Sequence, residues 1–124
     1  MHWRKNRDDE SFQVFVRDQL RKGLEGVSKR FSAKIIIAYE PVWAIGSGIA
    51  VKPEDLYEMT TYIRRTLLDL LGKSAAHKTP VLYGGSVSAK NSRSFLAVSG
   101  INGLLVGGAS LDLNEFKKIV ESAL

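Results

Sequence analysis

One carboxylate and three glycine-bearing turns are the residues of this chain best suited to chemistry. The carboxylate is Glu40. It ends the apolar run Ile35-Ile36-Ile37-Ala38-Tyr39 and is followed at once by Pro41. Such a run is too short and too β-branched for a helix and reads as a buried strand. Proline removes a backbone donor and fixes its own φ, so the strand stops there with Glu40 at its end. The turns are Gly46-Ser47-Gly48, Gly84-Gly85-Ser86 and Gly107-Gly108. Glycine at a strand end lets backbone N–H groups approach a ligand closely, and N–H groups gathered there hold an anion. Ser86 adds a hydroxyl donor. A single glycine pair more often marks a tight turn. Two pairs at corresponding strand ends, each leading into a helix, point more firmly to an anion cradle.

The anion is better read as a phosphate on a small molecule than as a nucleotide. Gly46-Ser47-Gly48 lacks the third glycine of a dinucleotide fingerprint, and no Walker lysine follows any of the three turns. Glu40 keeps two readings at this level. It is a base strengthened by the apolar residues Trp43, Ile45 and Leu105, or it is a surface glutamate in an ion pair. His77 lies in a polar turn and reads as an exposed histidine rather than a general acid.

These groups must be positioned by the elements between them. Ser11 caps a helix with Phe12, Phe15, Val16, Leu20, Leu24, Val27 and Phe31 at spacings of three and four, weakened at Gly23 and Gly26. After the strand that ends at Glu40, a second helix starts at Lys52-Pro53-Glu54-Asp55, where proline and acids suit the first turn. Leu56, Met59, Tyr62, Ile63, Leu67, Leu70 and Leu71 form its apolar stripe, and Gly72 ends it. Residues 74–79 connect to a short strand, Pro80-Val81-Leu82-Tyr83, interrupted by Gly84-Gly85-Ser86. A weaker third helix spans residues 89–98. A third strand, residues 101–106, is interrupted by Gly107-Gly108, and a last helix runs over residues 114–124. Helices alternating with strands on this scale imply parallel strands joined by crossovers. Right-handed crossovers bring Glu40 and all three turns to one end of the sheet.

Composition narrows the remaining classes. The 124 residues suit one domain, with a hydrophobic content of 44%. Without cysteine there are no disulfides or thiolate metal sites, and His2 and His77 alone make a histidine metal site a poor expectation. The net charge of +5 is spread in short pairs such as Arg64-Arg65 and Lys117-Lys118 on helix faces. These pairs do not interleave with aromatics, so nucleic-acid binding is not expected. Trp3 reads as an aromatic cover over the neighbouring helix. No apolar run approaches a membrane span and the first residues form no secretory leader, so a cytoplasmic protein is expected.

Three segments resemble the triose-phosphate isomerase family. AYEPVWAIGSG is similar to the motif holding that family's catalytic glutamate and the loop that closes over phosphate. LYGGSV and LLVGGASL are similar to its phosphate segments on the seventh and eighth strands. The order and spacing agree as well, over residues 3–124. The resemblance implies an α/β fold, a truncated TIM barrel of three parallel strands with four helices in one domain. The order would run from the family's fifth helix to its eighth, with strands six to eight between them. It implies Glu40 as the base, the Gly46 N–H, Ser86, Gly107 and Gly108 on the substrate phosphate, and no cofactor or metal. Pro41, Val42 and Trp43 match the lid's first hinge, and Ala44, Ile45, Gly46, Ser47 and Gly48 its tip. Tyr83 and Ser86 match latches of the closed lid, and Leu105 an apolar residue pressing on the glutamate. The substrate implied is a small phosphorylated triose.

The departures are equally informative. The family barrel has eight strand–helix units over about 250 residues, and this chain resembles only the second half. The family's asparagine and lysine on the first strand and its histidine on the fourth have no counterpart. Ile49-Ala50-Val51 differs at the second lid hinge. Asn102 stands where the family usually has an aspartate, which commonly pairs with the arginine matching Arg64. Three strands cut from a closed barrel have two unpaired edges and uncovered interior side chains. Negligible activity for this chain alone is therefore expected. So is self-association, as a dimer or tetramer covering the barrel interior.

Overall fold

The computed structural model describes residues 10–41 and 51–124. Trp3 and the expected lid residues Val42, Trp43, Ala44, Ile45, Gly46, Ser47 and Gly48 lie outside them. The chain divides into two compact units, residues 1–35 with 61–79 and residues 36–60 with 80–124.

In the first unit, α1 spans Glu10–Gly23 and a 3-10 turn spans Lys29–Lys34. The apolar spacing predicts one helix through Phe31, but α1 stops eight residues earlier. Gly26 takes a left-handed φ of 80°, which other residues adopt only at a cost, and this reverses the chain. The stripe is also less buried than its spacing suggests. Val16 is inside, whereas Phe15, Val27 and Phe31 are exposed. Helix α2, Pro53–Leu71, gives residues 61–71 to this unit, with Ile63, Leu67 and Leu71 buried. It ends before Gly72, whose φ of 94° is again left-handed. The expected connection over residues 74–79 is largely a short helix, α3, Lys73–Lys78. Arg64 fastens it: Nη1 donates to the carbonyls of Ala76 and Thr79, both at 3.0 Å. Those are two carbonyls at the C-terminal end of α3, where a guanidinium satisfies groups the helix leaves unpaired. Burial holds the Arg64 pKa below its ordinary value.

The second unit holds the sheet. Strands β1 (Ile37–Tyr39), β2 (Val81–Gly85) and β3 (Gly103–Val106) lie side by side in chain order, and both pairs are parallel. Strand β2 runs on through Gly84-Gly85 instead of stopping at Tyr83. Helix α4 is only Ser92–Leu96, shorter than the expected 89–98, and α5 is Leu113–Ser122. A 3-10 turn, Gly108–Leu111, leads into α5. Asn102 replaces one rung of the ladder. Its side-chain oxygen accepts from the Val81 N–H and its own N–H donates to the Val81 carbonyl, both at 2.9 Å.

Alternation along the strands separates two faces. Val81 and Tyr83 point to a closed face and are completely buried. The Tyr83 ring meets Phe95 of α4 at 4.5 Å between centroids. Val87, Val98, Ile101 and Ile119 are buried in the same unit. Ile36, Ala38, Glu40 and Leu105 fall on the other face, and all four are exposed.

Candidate functional site

The register determines which side chains meet. Tyr39 pairs with Tyr83, so the next residues, Glu40 and Gly84, are neighbours on adjacent strands. Gly84 in turn pairs with Leu105. Glu40, Gly84 and Leu105 therefore form a row across the sheet, on the exposed face and at its C-terminal end. A β-carbon placed on Gly84 would lie 3.7 Å from the Glu40 Cβ and 3.5 Å from the Leu105 Cβ. Glycine leaves a notch there, flanked by the carboxylate-bearing side chain and an apolar one. Pro41, directly after Glu40, is completely buried and pins the end of β1.

The same register continues one step further. Gly85 pairs with Val106, which brings Ser86 and Gly107 level at the ends of β2 and β3. Side chains added at Gly107 or Gly108 would meet nothing within 4 Å among the described residues. Ser110 locks the turn from behind, with its hydroxyl donating to the Gly107 carbonyl at 2.6 Å and its N–H donating to the same oxygen at 2.9 Å. The Ser86 carbonyl accepts from the Asn91 side-chain amide at 2.8 Å.

Gly85 has a different reason to be glycine. A side chain there would collide with the Tyr83 hydroxyl and ring. Tyr83 thus folds flat over the backbone of its own strand, between Gly85 and Phe95. Its hydroxyl is buried and has no partner at hydrogen-bond geometry among the described residues. Burial pushes its pKa up, against a smaller lowering from the nearby Val51 backbone amide. The two effects oppose each other, and burial prevails.

Of the sequence-expected site residues, Glu40, Ser86, Gly107 and Gly108 lie at the C-terminal ends of neighbouring strands, with Leu105 beside Glu40, whereas Tyr83 is the middle residue of β2 and is buried on the closed face. Gly46 and the remaining lid residues lie outside the described part. Two side chains were missed from sequence, Asn91 and Glu115, which hold the loop behind Ser86. The available signal was the pattern Asp112-Leu113-Asn114-Glu115, a helix-capping sequence. Among the described residues, no group of three or more His, Cys, Asp or Glu is arranged to hold a metal ion. No helix among them is long and apolar enough to cross a membrane.

Comparison with known proteins agrees with the fold. The family model for triosephosphate isomerase matches residues 3–123. A triosephosphate isomerase of Dictyoglomus turgidum is 47% identical over 107 residues, which is 86% of this chain and 43% of that relative. One of Caldanaerobacter subterraneus subsp. tengcongensis is 49% identical over 105 residues, 85% of this chain and 42% of that relative. The chain therefore spans less than half the length of these curated relatives.

Proposed function

Because this chain belongs to the triosephosphate isomerase family, we propose that it carries the proton-transfer and phosphate-holding part of an isomerase. The reaction of the whole enzyme interconverts dihydroxyacetone phosphate and glyceraldehyde 3-phosphate. Glu40 is the base. Its carboxylate takes a proton from the carbon beside the carbonyl, and the C–H electron pair moves into an enediolate. A proton passes from that carbon's hydroxyl to the former carbonyl oxygen, and the carboxylate returns its own proton to the neighbouring carbon. One substrate carbon is oxidised as the other is reduced, so the step consumes no cofactor. The backbone N–H groups of Gly46, Gly107 and Gly108, with the Ser86 hydroxyl, hold the phosphate. Pro41, Val42, Trp43, Ala44, Ile45, Ser47 and Gly48 belong to a lid latched by Tyr83 and Ser86. A cytoplasmic location belongs to the same reading.

The observation that carries this reading is the register. It sets Glu40 beside Gly84 and Leu105, and Ser86 level with Gly107, at one end of a parallel sheet. This sequence has no match to the family's asparagine, lysine and histidine. Each missing donor to a developing oxyanion removes about 3 kcal/mol of stabilisation. The 124-residue chain alone therefore turns over negligibly, and it binds a phosphate ligand if the two glycine turns keep their geometry. An assay of the purified protein with glyceraldehyde 3-phosphate checks this, and near-enzyme turnover would overturn it. Calorimetry with 2-phosphoglycolate checks the cradle, and silence at millimolar ligand would remove it.

The exposed sheet face favours an addition to this reading. Ile36 is 63% exposed and Leu105 51%. The outer edges of β1 and β3 pair with no other described strand. A parallel sheet is stable with both faces covered. Self-association as a dimer or tetramer covers that face, as does a separate chain supplying the first half of a split enzyme. Co-expression with such a first-half polypeptide restores turnover only in the second case. Were the chain an anion-binding oligomer without catalysis, Glu40→Gln would change nothing measurable.

A further inference from the structure

Glu115 occupies the third position of α5, whose N-cap is Asp112. The Asp112 carboxylate accepts from the Glu115 N–H at 3.0 Å, which is one half of a capping box. In the other half the glutamate carboxylate would reach back to the cap residue's own N–H. Here it does not. The Asp112 N–H donates to the Ala109 carbonyl, at 3.3 Å, and Glu115 Oε2 accepts from the Ala89 N–H at 2.7 Å. Ala89 lies three residues beyond Ser86, in the loop after β2. The same loop is tied internally by Asn91, which donates to the Ser86 carbonyl and accepts from the Ser88 N–H, each at 2.8 Å.

We infer that Glu115 and Asn91 are positioning residues that hold the Ser86 loop in register with the Gly107-Gly108 turn, so that both face one phosphate. This rests on the phosphate cradle proposed above. Glu115 lies in the first turn of the helix that follows the Gly107-Gly108 turn and its 3-10 continuation. Its bond to Ala89 therefore joins the two turns through one side chain. A carboxylate accepting from a backbone N–H makes a stronger and shorter bond than a neutral acceptor. The capping role of Glu115 is given up for it, which places its use in the loop rather than in the helix. Asn91 acts at the near end of the same loop. It holds the Ser86 carbonyl and the Ser88 N–H, two residues further on, with one side chain, which limits the backbone between them. Neither side chain needs to touch the ligand.

The test is calorimetry of the full chain with 2-phosphoglycolate, with amide hydrogen exchange read at Ala89. Glu115→Ala is expected to raise Kd about tenfold, the loss of one charge-assisted bond, and to speed exchange at Ala89. Glu115→Gln keeps an oxygen that accepts from Ala89 and is expected to bind within about threefold of the unaltered chain. Asn91→Asp keeps the acceptor for Ser88 but loses the donor to Ser86, and is expected to weaken binding as well. It also decides the matter if Glu115→Ala does not fold. Gly108→Val fills the cradle and serves as the control. If Gly108→Val abolishes binding while Glu115→Ala and Asn91→Asp bind as the unaltered chain does, the inference is overturned and the cradle stands. If the unaltered chain binds nothing, or Gly108→Val binds equally well, the cradle itself falls and the positioning role falls with it.

Discussion

The two faces of the three-stranded sheet share one backbone and one register, yet they are finished differently. On one face Val81 and Tyr83 are completely buried, and Phe95 closes over the tyrosine. On the other, Ile36 and Leu105 stand exposed beside Glu40 and Gly84. The first face is completed by helices of this chain. The second carries the residues expected to do chemistry, and no described residue covers Ile36 and Leu105. Stability in this unit should therefore reside in the closed face and function in the open one, and substitutions can test that division.

The largest stability effect is expected from the closed face. Phe95→Ala removes the ring against Tyr83 and should cost about 3–5 kcal/mol, read by urea unfolding. If it costs less than a surface substitution does, the closed face is not where stability lies. Gly85→Ala should follow, at about 1–3 kcal/mol, because the added carbon collides with the Tyr83 ring. A Tyr83→Phe background should relieve only the part due to the hydroxyl.

Titration probes the same ring. Burial raises the Tyr83 pKa in the folded chain above its unfolded value of 10.0. The folded state then keeps a proton that the unfolded state releases. Stability is fully present below pH 10 and falls as pH rises from there toward the folded pKa. Tyr83→Phe should flatten that alkaline loss in unfolding curves taken from pH 8 upward. An unchanged slope would place the loss on other groups.

The open face should respond weakly in stability and strongly in association. Leu105→Asp should leave the unfolding midpoint within about 0.5 kcal/mol of the original, as exposed positions do. It should also lower the mass seen by light scattering if copies of the chain cover this face. A compact monomer before and after the substitution would remove self-association. The smallest effect is expected at Gly108→Ala. Its added carbon meets nothing among the described residues, so stability should hold and any change should appear only in phosphate binding.

Much of this was legible in the residues. The run 35–39 before Pro41 marked a strand leading to a carboxylate, because branched apolar residues favour extended backbone and proline ends pairing. The strand is shorter than the run, Ile37–Tyr39, and is not buried as expected, because Ile35 caps the preceding 3-10 turn and the sheet face with Ile36 and Ala38 is exposed. The alternation of helices and strands marked parallel pairing, because a chain that re-enters a sheet in the same direction needs a crossover. Glycine turns at strand ends marked where the backbone comes close to something. Local preference is sufficient for each of these.

What only the tertiary structure decided depends on neighbours distant in sequence. Propensity and spacing did not show that β2 continues through two glycines, since pairing with Leu105 and Val106 holds them extended. They did not show that Gly85 must be bare because Tyr83 lies across it. The partners of Arg64 are two carbonyls of a helix expected to be mostly a turn. Glu115 reads as a helix cap by its spacing, yet its carboxylate goes to Ala89, 26 residues away. A sequence states what each side chain is able to bond. Which bond forms depends on what the fold brings within 3 Å, because hydrogen bonding falls away steeply beyond that distance.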